Sequence, residues 1–213
     1  MSRSSAEAVA LILKEESFTG HPYWPGGMSG VTLDPGYDLC SHDVLVFRHD
    51  WIHLGVAERI ALEVAIGYRG QGAKVILDAH NLAAIAIPRD VALEVFADDS
   101  LPTYEQDVLV HLPGSEFLPA DAFGALTSCV YNRGSAMEGD RRLELRAIRS
   151  AVAAFAATQL PSTRVAALQA MAHQLDAMGT RLWPTDWMGL RTRRHAEADL
   201  VRRAASALAQ MAP

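Results

Sequence analysis

Residues 18–40, "FTGHPYWPGGMSGVTLDPGYDLC", constrain the chain more than any other stretch. Pro22, Pro25, Gly26, Gly27, Gly30, Pro35 and Gly36 interrupt it so often that no helix of useful length fits. Short extended pieces carrying Tyr, Trp, Val and Thr are left between the breakers. That pattern predicts a small, turn-rich β-lobe. Within it, "SGVTLDPGYDLC" (29–40) sets Thr32 and Asp38 on either side of a tight Asp-Pro-Gly turn.

The flanks read as helix. Ser4 to Glu7 has the capping-box spacing, with Ser4 as N-cap. Val9, Ile12, Leu13 and Glu16 follow on one helical stripe, so Glu16 rather than Glu15 rides the apolar face. From about Ser41 onward helical patterns dominate. "VAERIALEVAIGYRG" ends at glycines, "IPRDVALEVFADD" begins with Pro88 in its first turn, and "PADAFGALTSCVYNRG" is an apolar helix ending at Gly134. Residues 140–158 and 162–179 read as two more helices, and "GLRTRRHAEADLVRRAASALAQM" closes the chain as an Arg-rich amphipathic helix. The predicted class is α+β. It is predicted as a single domain over 1–213, with a first helix at 1–17, a β-lobe at 18–40 and a helical lobe at 41–213.

Composition removes several functional classes. The 213 residues are 50% hydrophobic and 21% charged, which supplies a core and argues against disorder. A net charge of -6 gives no basic footprint for nucleic acid or an anionic membrane. Cys40 and Cys129 make neither a disulfide framework nor a zinc site; Cys129, in an apolar run, reads as a buried thiol. "MSRSSAEAVALILKEESF" lacks the pattern of a signal peptide, and no apolar run has transmembrane length. Synthesis in the cytoplasm without a signal peptide is expected.

Three side chains carry the chemical reading. A carboxylate at the end of a helix, on its buried stripe, loses hydration and meets the negative end of the helix dipole. Both effects suit Glu16 to general-acid work. The alternative is a helix-end residue paired with an arginine. Asp38 is either a turn cap or a second carboxylate facing Glu16 that orients a water. The Thr32 hydroxyl either holds that water or belongs to an ordinary strand threonine. Two carboxylates in unequal environments are the parts needed for glycosidic bond cleavage.

These residues carry a family resemblance. Glu16-Ser17-Phe18 followed by "SGVTLDPGYDLC" resembles the opening of the phage-type lysozymes, glycoside hydrolase family 24 and its relatives, and is closest to their pesticin-like branch. "ALTSCVYNRG" (125–134) is similar to the family's helix ending in Tyr-Asn-x-Gly. "RLW" (181–183) with "GLRTRRHAEADL" (189–200) looks like its closing Arg-Arg helix. The resemblance implies a lysozyme-like fold, with a small β-lobe and a larger helical lobe around a saccharide cleft. It implies muramidase activity on the β-1,4 bond between N-acetylmuramic acid and N-acetylglucosamine, with Glu16 as acid and Thr32 with Asp38 positioning the water. Inversion is expected, with a lytic transglycosylase as the variant within the enzyme class. A non-catalytic saccharide- or protein-binding domain on the same fold is the alternative. The chain departs from the family pattern at Asp34 and Cys40, both usually Gly. Asp34 is expected to put a third carboxylate beside the site, or else to face solvent.

The remaining assignments are subordinate. Tyr23, Trp24 and Tyr37 are candidate sugar-contacting aromatics, and Asn132 is a candidate for an acetamido group or a helix cap. If residues 43–54 are helical, His49 and His53 share a face and form a possible metal pair among His42, Asp43, His49, Asp50 and His53; satisfied surface histidines are the alternative, and no metal or organic cofactor is expected. Arg193, Arg194 and Glu197 read as an ion-pair lattice tying the last helix to the first. The expected partner is a peptidoglycan glycan strand, reached after lysis or dedicated export, as an endolysin or as a toxin with an immunity protein.

Overall fold

The computed structural model describes residues 2–16, 18–183 and 188–211. The elements run in chain order as α1 (Ala6–Glu15), β1 (Thr32–Leu33), β2 (Tyr37–Asp38), α2 (Val44–Asp50), α3 (Val56–Glu63), α4 (Gln71–Ala79) and α5 (Arg89–Val95). They continue as α6 (Leu101–His111), α7 (Ala120–Arg133), α8 (Leu143–Ala156), α9 (Pro161–Leu182) and α10 (Met188–Gln210). The class is α+β: mostly helix, with one two-stranded antiparallel sheet. The chain divides into two compact units, Glu16–Pro102, and Met1–Glu15 with Thr103–Pro213.

The second of these units is helical. Every residue from Ala122 to Tyr131 of α7 is buried, which explains a sequence apolar on all faces. Gly124 lets α1 lie close to it, since a Cβ there would fall 2.3 Å from the Cβ of Ala8. Phe123, Leu126, Ile148, Phe155, Leu168 and Met171 belong to the surrounding core. Inside that core, Ser128 Oγ and Arg194 donate to Glu197 Oε1 at 2.7 and 2.6 Å, and Arg193 donates to the Ser128 carbonyl at 3.1 Å. Arg194 also donates to Cys129 Sγ at 3.1 Å. Burial pushes the Glu197 carboxyl up despite both arginines. The lattice exists as expected, and the bonds described run within α10 and to α7.

The start of α1 also differs from the sequence reading. Ser5 Oγ, not Ser4, accepts from the third residue on, the Ala8 amide at 3.3 Å. Ser4 is committed elsewhere: its amide and hydroxyl donate to Glu105 Oε1 at 2.9 and 2.7 Å, with Ser2 Oγ at 2.6 Å. Burial raises the Glu105 carboxyl, but these donors outweigh it and hold the group below the usual range.

The unit Glu16–Pro102 is built around the hairpin. Thr32 faces Asp38 and Leu33 faces Tyr37 across the ladder, and an isolated bridge pairs Tyr23 with Thr32. All of this β structure lies inside 18–40. Asp34 and Pro35 of the turn are joined by a cis peptide bond. Val31, Leu33, Tyr37 and Leu39 enter one core with Phe47, Trp51, Leu62, Leu77 and Val95, so α2 to α5 are the packing base of the hairpin. Pro88 is the N-cap of α5. A π turn, Phe96–Ser100, follows that helix.

Candidate functional site

Direct cross-strand partners place their side chains on the same face of a sheet. The bridge Tyr23–Thr32 and the pair Thr32–Asp38 therefore set Tyr23, Thr32 and Asp38 in one row. Leu33 and Tyr37, on the alternate face, are buried in the core.

Asp38 does two local jobs. Its Oδ1 accepts from the Cys40 amide at 2.9 Å, which caps the short 3₁₀ turn Leu39–Ser41, and both oxygens lie 3.1 Å from the Gly30 amide. The group is half-buried. A carboxylate has about four acceptor directions, so capacity remains for a water or ligand. Gly30 makes the arrangement possible. A Cβ there would sit 2.3 Å from Asp38 Oδ1 and 2.8 Å from the Cys40 nitrogen. Thr32 is buried, and its hydroxyl donates weakly to the Gly30 carbonyl at 3.4 Å.

Asp34 is neither a solvent-facing turn residue nor an open third carboxylate. It is fully buried. Its Oδ2 accepts from the Thr19 amide at 2.6 Å, the Thr19 hydroxyl at 2.7 Å and the Gly20 amide at 2.7 Å. Its Oδ1 is buried without a hydrogen-bond partner among the described residues. Thus the position where the lysozyme pattern has Gly holds a clamp on residues 19 and 20. The Gly20 carbonyl then accepts from the Ile87 amide at 2.8 Å, and Arg89 lies 5.2 Å over the Phe18 ring.

Glu16 is half-buried and lies one residue past the end of α1. Ser17, the middle of the Glu-Ser-Phe match, is outside the described residues. Tyr23 reports on where the charges are. Its phenol is pushed up to about 12, first by burial and then by the charges of Asp34, Glu16 and Asp38. A half-buried phenol so placed keeps its proton and remains a donor.

The other sequence candidates separate. The Trp24 ring is half-buried, and its Nε1 donates to the Ser29 carbonyl at 3.1 Å. Tyr37 is corrected from a sugar contact to a core residue. It is 4% exposed, donates to Asp50 Oδ2 at 2.7 Å, stacks on His42 at 3.9 Å and meets Trp51 edge-on. Asn132 is carried by the last turn of α7, in the other unit. Cys40 and Cys129 are free thiols. Burial, then a hydrogen bond to Asp38 and its charge, push the Cys40 thiol up.

The conditional metal pair fails on its premise. The helix α2 stops at Asp50, so His53 is not on it, and His53 instead lies 3.5 Å from Glu94. His49 meets Asp50 and Asp99. Sequence reasoning overlooked Asp99, 49 positions from Asp50, and the clamp role of Asp34, because neither pairing has a local signal.

Residues 13–110 match a family described as a domain of unknown function (DUF8812). That span is under half of the chain and includes Glu16, the row and Asp34. No curated protein matches the chain.

Two predictions follow from this geometry. Gly30→Ala destabilises the protein by ~1–3 kcal/mol through overpacking, read as a lowered urea midpoint; an unchanged midpoint contradicts the packing described. Cys40 alkylates slowly at pH 8, because burial and then Asp38 disfavour the thiolate, and Asp38→Asn speeds the reaction several-fold. A rate unchanged by Asp38→Asn contradicts the contact. Iodoacetamide kinetics with peptide mapping measure it.

Proposed function

We propose that the chain is a peptidoglycan muramidase of lysozyme-like architecture. Glu16 donates its proton to the glycosidic oxygen as the bond to the anomeric carbon breaks. A water, held by Asp38 with Thr32, gives its oxygen to that carbon and its proton to Asp38. The outcome is inversion, for which carboxyl separations of roughly 6.5–9.5 Å are typical. Glycan strands carrying alternating N-acetylmuramic acid and N-acetylglucosamine are the substrate.

The observation that carries the reading is the row Tyr23–Thr32–Asp38, together with the effect of the Glu16 charge on the Tyr23 phenol. Three carboxylates, Asp34, Glu16 and Asp38, thus act on one hydroxyl. The motif order along the chain supports the same reading. Asp34 is buried, with its Oδ2 held in the clamp by Thr19 and Gly20.

One observation favours a second reading, a non-catalytic saccharide- or protein-binding domain. The Thr32 hydroxyl is buried against the Gly30 carbonyl, and Asp38 is already engaged by the Gly30 and Cys40 amides. Both side chains serve the loop before any ligand arrives.

Purified sacculi separate the readings. The muramidase clears a turbid suspension and releases reducing ends. Glu16→Gln lowers that rate by about 10²-fold or more, the scale of a lost general acid. Equal clearing by the variant removes Glu16 from the role. Saturable binding without reducing ends favours the second reading, and anhydro-sugar products indicate transglycosylation.

A further inference from the structure

The cluster at the end of α2 is not used by the proposed chemistry. His49 and Asp50 are the last two residues of that helix, and Asp99 lies in the π turn Phe96–Ser100. One ligand atom from each lies within 4.8 Å of the other two. His49 is exposed, whereas Asp50 and Asp99 are half-buried.

We propose that His49, Asp50 and Asp99 form a binding site for a divalent transition-metal ion of the zinc class. The site is independent of the muramidase reading. An ion at about 2.0–2.2 Å from imidazole nitrogen and carboxylate oxygen requires the three donor atoms, now within 4.8 Å of one another, to draw slightly closer. Two carboxylates and an imidazole brought this close present their donor atoms to a common point. The donor set selects the ion. Calcium takes six to eight oxygens and magnesium keeps a shell of waters, whereas one imidazole with two carboxylates suits zinc and its neighbours. Three protein ligands leave a position for water or an exchangeable ligand.

The ligands are held from behind. Tyr37 donates to Asp50 Oδ2 at 2.7 Å, while its ring is fixed by His42 and Trp51. Outer hydrogen bonds of this kind orient ligating carboxylates and tune affinity. At the other end of α2, Asp43 caps the helix through the Leu45 and Val46 amides at 2.8 and 2.9 Å. Since Tyr37 is also the register partner of Leu33, a bound ion would tie the end of α2 and the π turn to the hairpin.

The test is a chelator-buffered Zn²⁺ titration of the tag-free full chain, with Co²⁺ absorption as the spectroscopic probe. The wild type binds one equivalent. His49→Ala and Asp99→Asn each weaken binding by about tenfold or more, and Tyr37→Phe, which removes only the outer hydrogen bond, weakens it by about 10–100-fold. His53→Ala retains wild-type affinity. Far-ultraviolet circular dichroism of the metal-free variants checks folding; should Asp99→Asn unfold, His49→Ala at its exposed position decides alone. The proposal is overturned if the wild type binds no stoichiometric Zn²⁺, if His49→Ala binds as tightly as the wild type, or if His53→Ala weakens binding as much as His49→Ala.

Discussion

The buried carboxylate of Asp34 is the interaction on which the unit Glu16–Pro102 depends. A polar group removed from water is costly unless donors replace its hydration. Here three donors from Thr19 and Gly20 converge on one oxygen. The segment that leaves Glu16 is thereby tied to the turn joining β1 to β2. The tie adds to the Tyr23–Thr32 bridge in holding residues 19 and 20 against the row Tyr23–Thr32–Asp38. The bond from the Ile87 amide to the Gly20 carbonyl secures the same segment against the start of α5.

A second constraint is steric. Asp38 reaches the Gly30 and Cys40 amides only because position 30 carries no side chain. One carboxylate therefore stitches the start of β1 to the end of β2 and caps the turn beyond it. Asp38 is local scaffolding and site group together, and the cost of its position is met by backbone amides. Those bonds leave acceptor capacity, so the two roles are compatible. Thr32 is more fully absorbed into the fold. Whatever it contributes to a ligand passes through a hydroxyl that already leans on the Gly30 carbonyl.

Local periodicity made much of this legible. The breakers in 18–40 located the β structure seen among the described residues. The apolar run 120–133 became a buried helix ending at Gly134, and the α+β class followed. Illegible features shared one cause: each pairs residues far apart in the chain. Ser4 looked like a cap because Glu7 is three residues on, but Glu105, 101 positions away, captured it and left Ser5 to cap. Tyr37 looked like a sugar platform, yet the alternation of the hairpin turned it into the core toward Asp50. Asp34 was legible as a departure from the lysozyme pattern but not as a clamp, because nothing local marks Thr19 and Gly20 as its donors.

The most direct test of this account is hydrogen exchange at the Thr19 and Gly20 amides, followed residue by residue by NMR. The clamp predicts that both are protected to the same degree as the Thr32 and Leu39 amides of the hairpin, and that Asp34→Ala releases them while α9 and α10 stay protected. Exchange of Thr19 and Gly20 at the rate of an unstructured peptide, with Thr32 and Leu39 still protected, would contradict it.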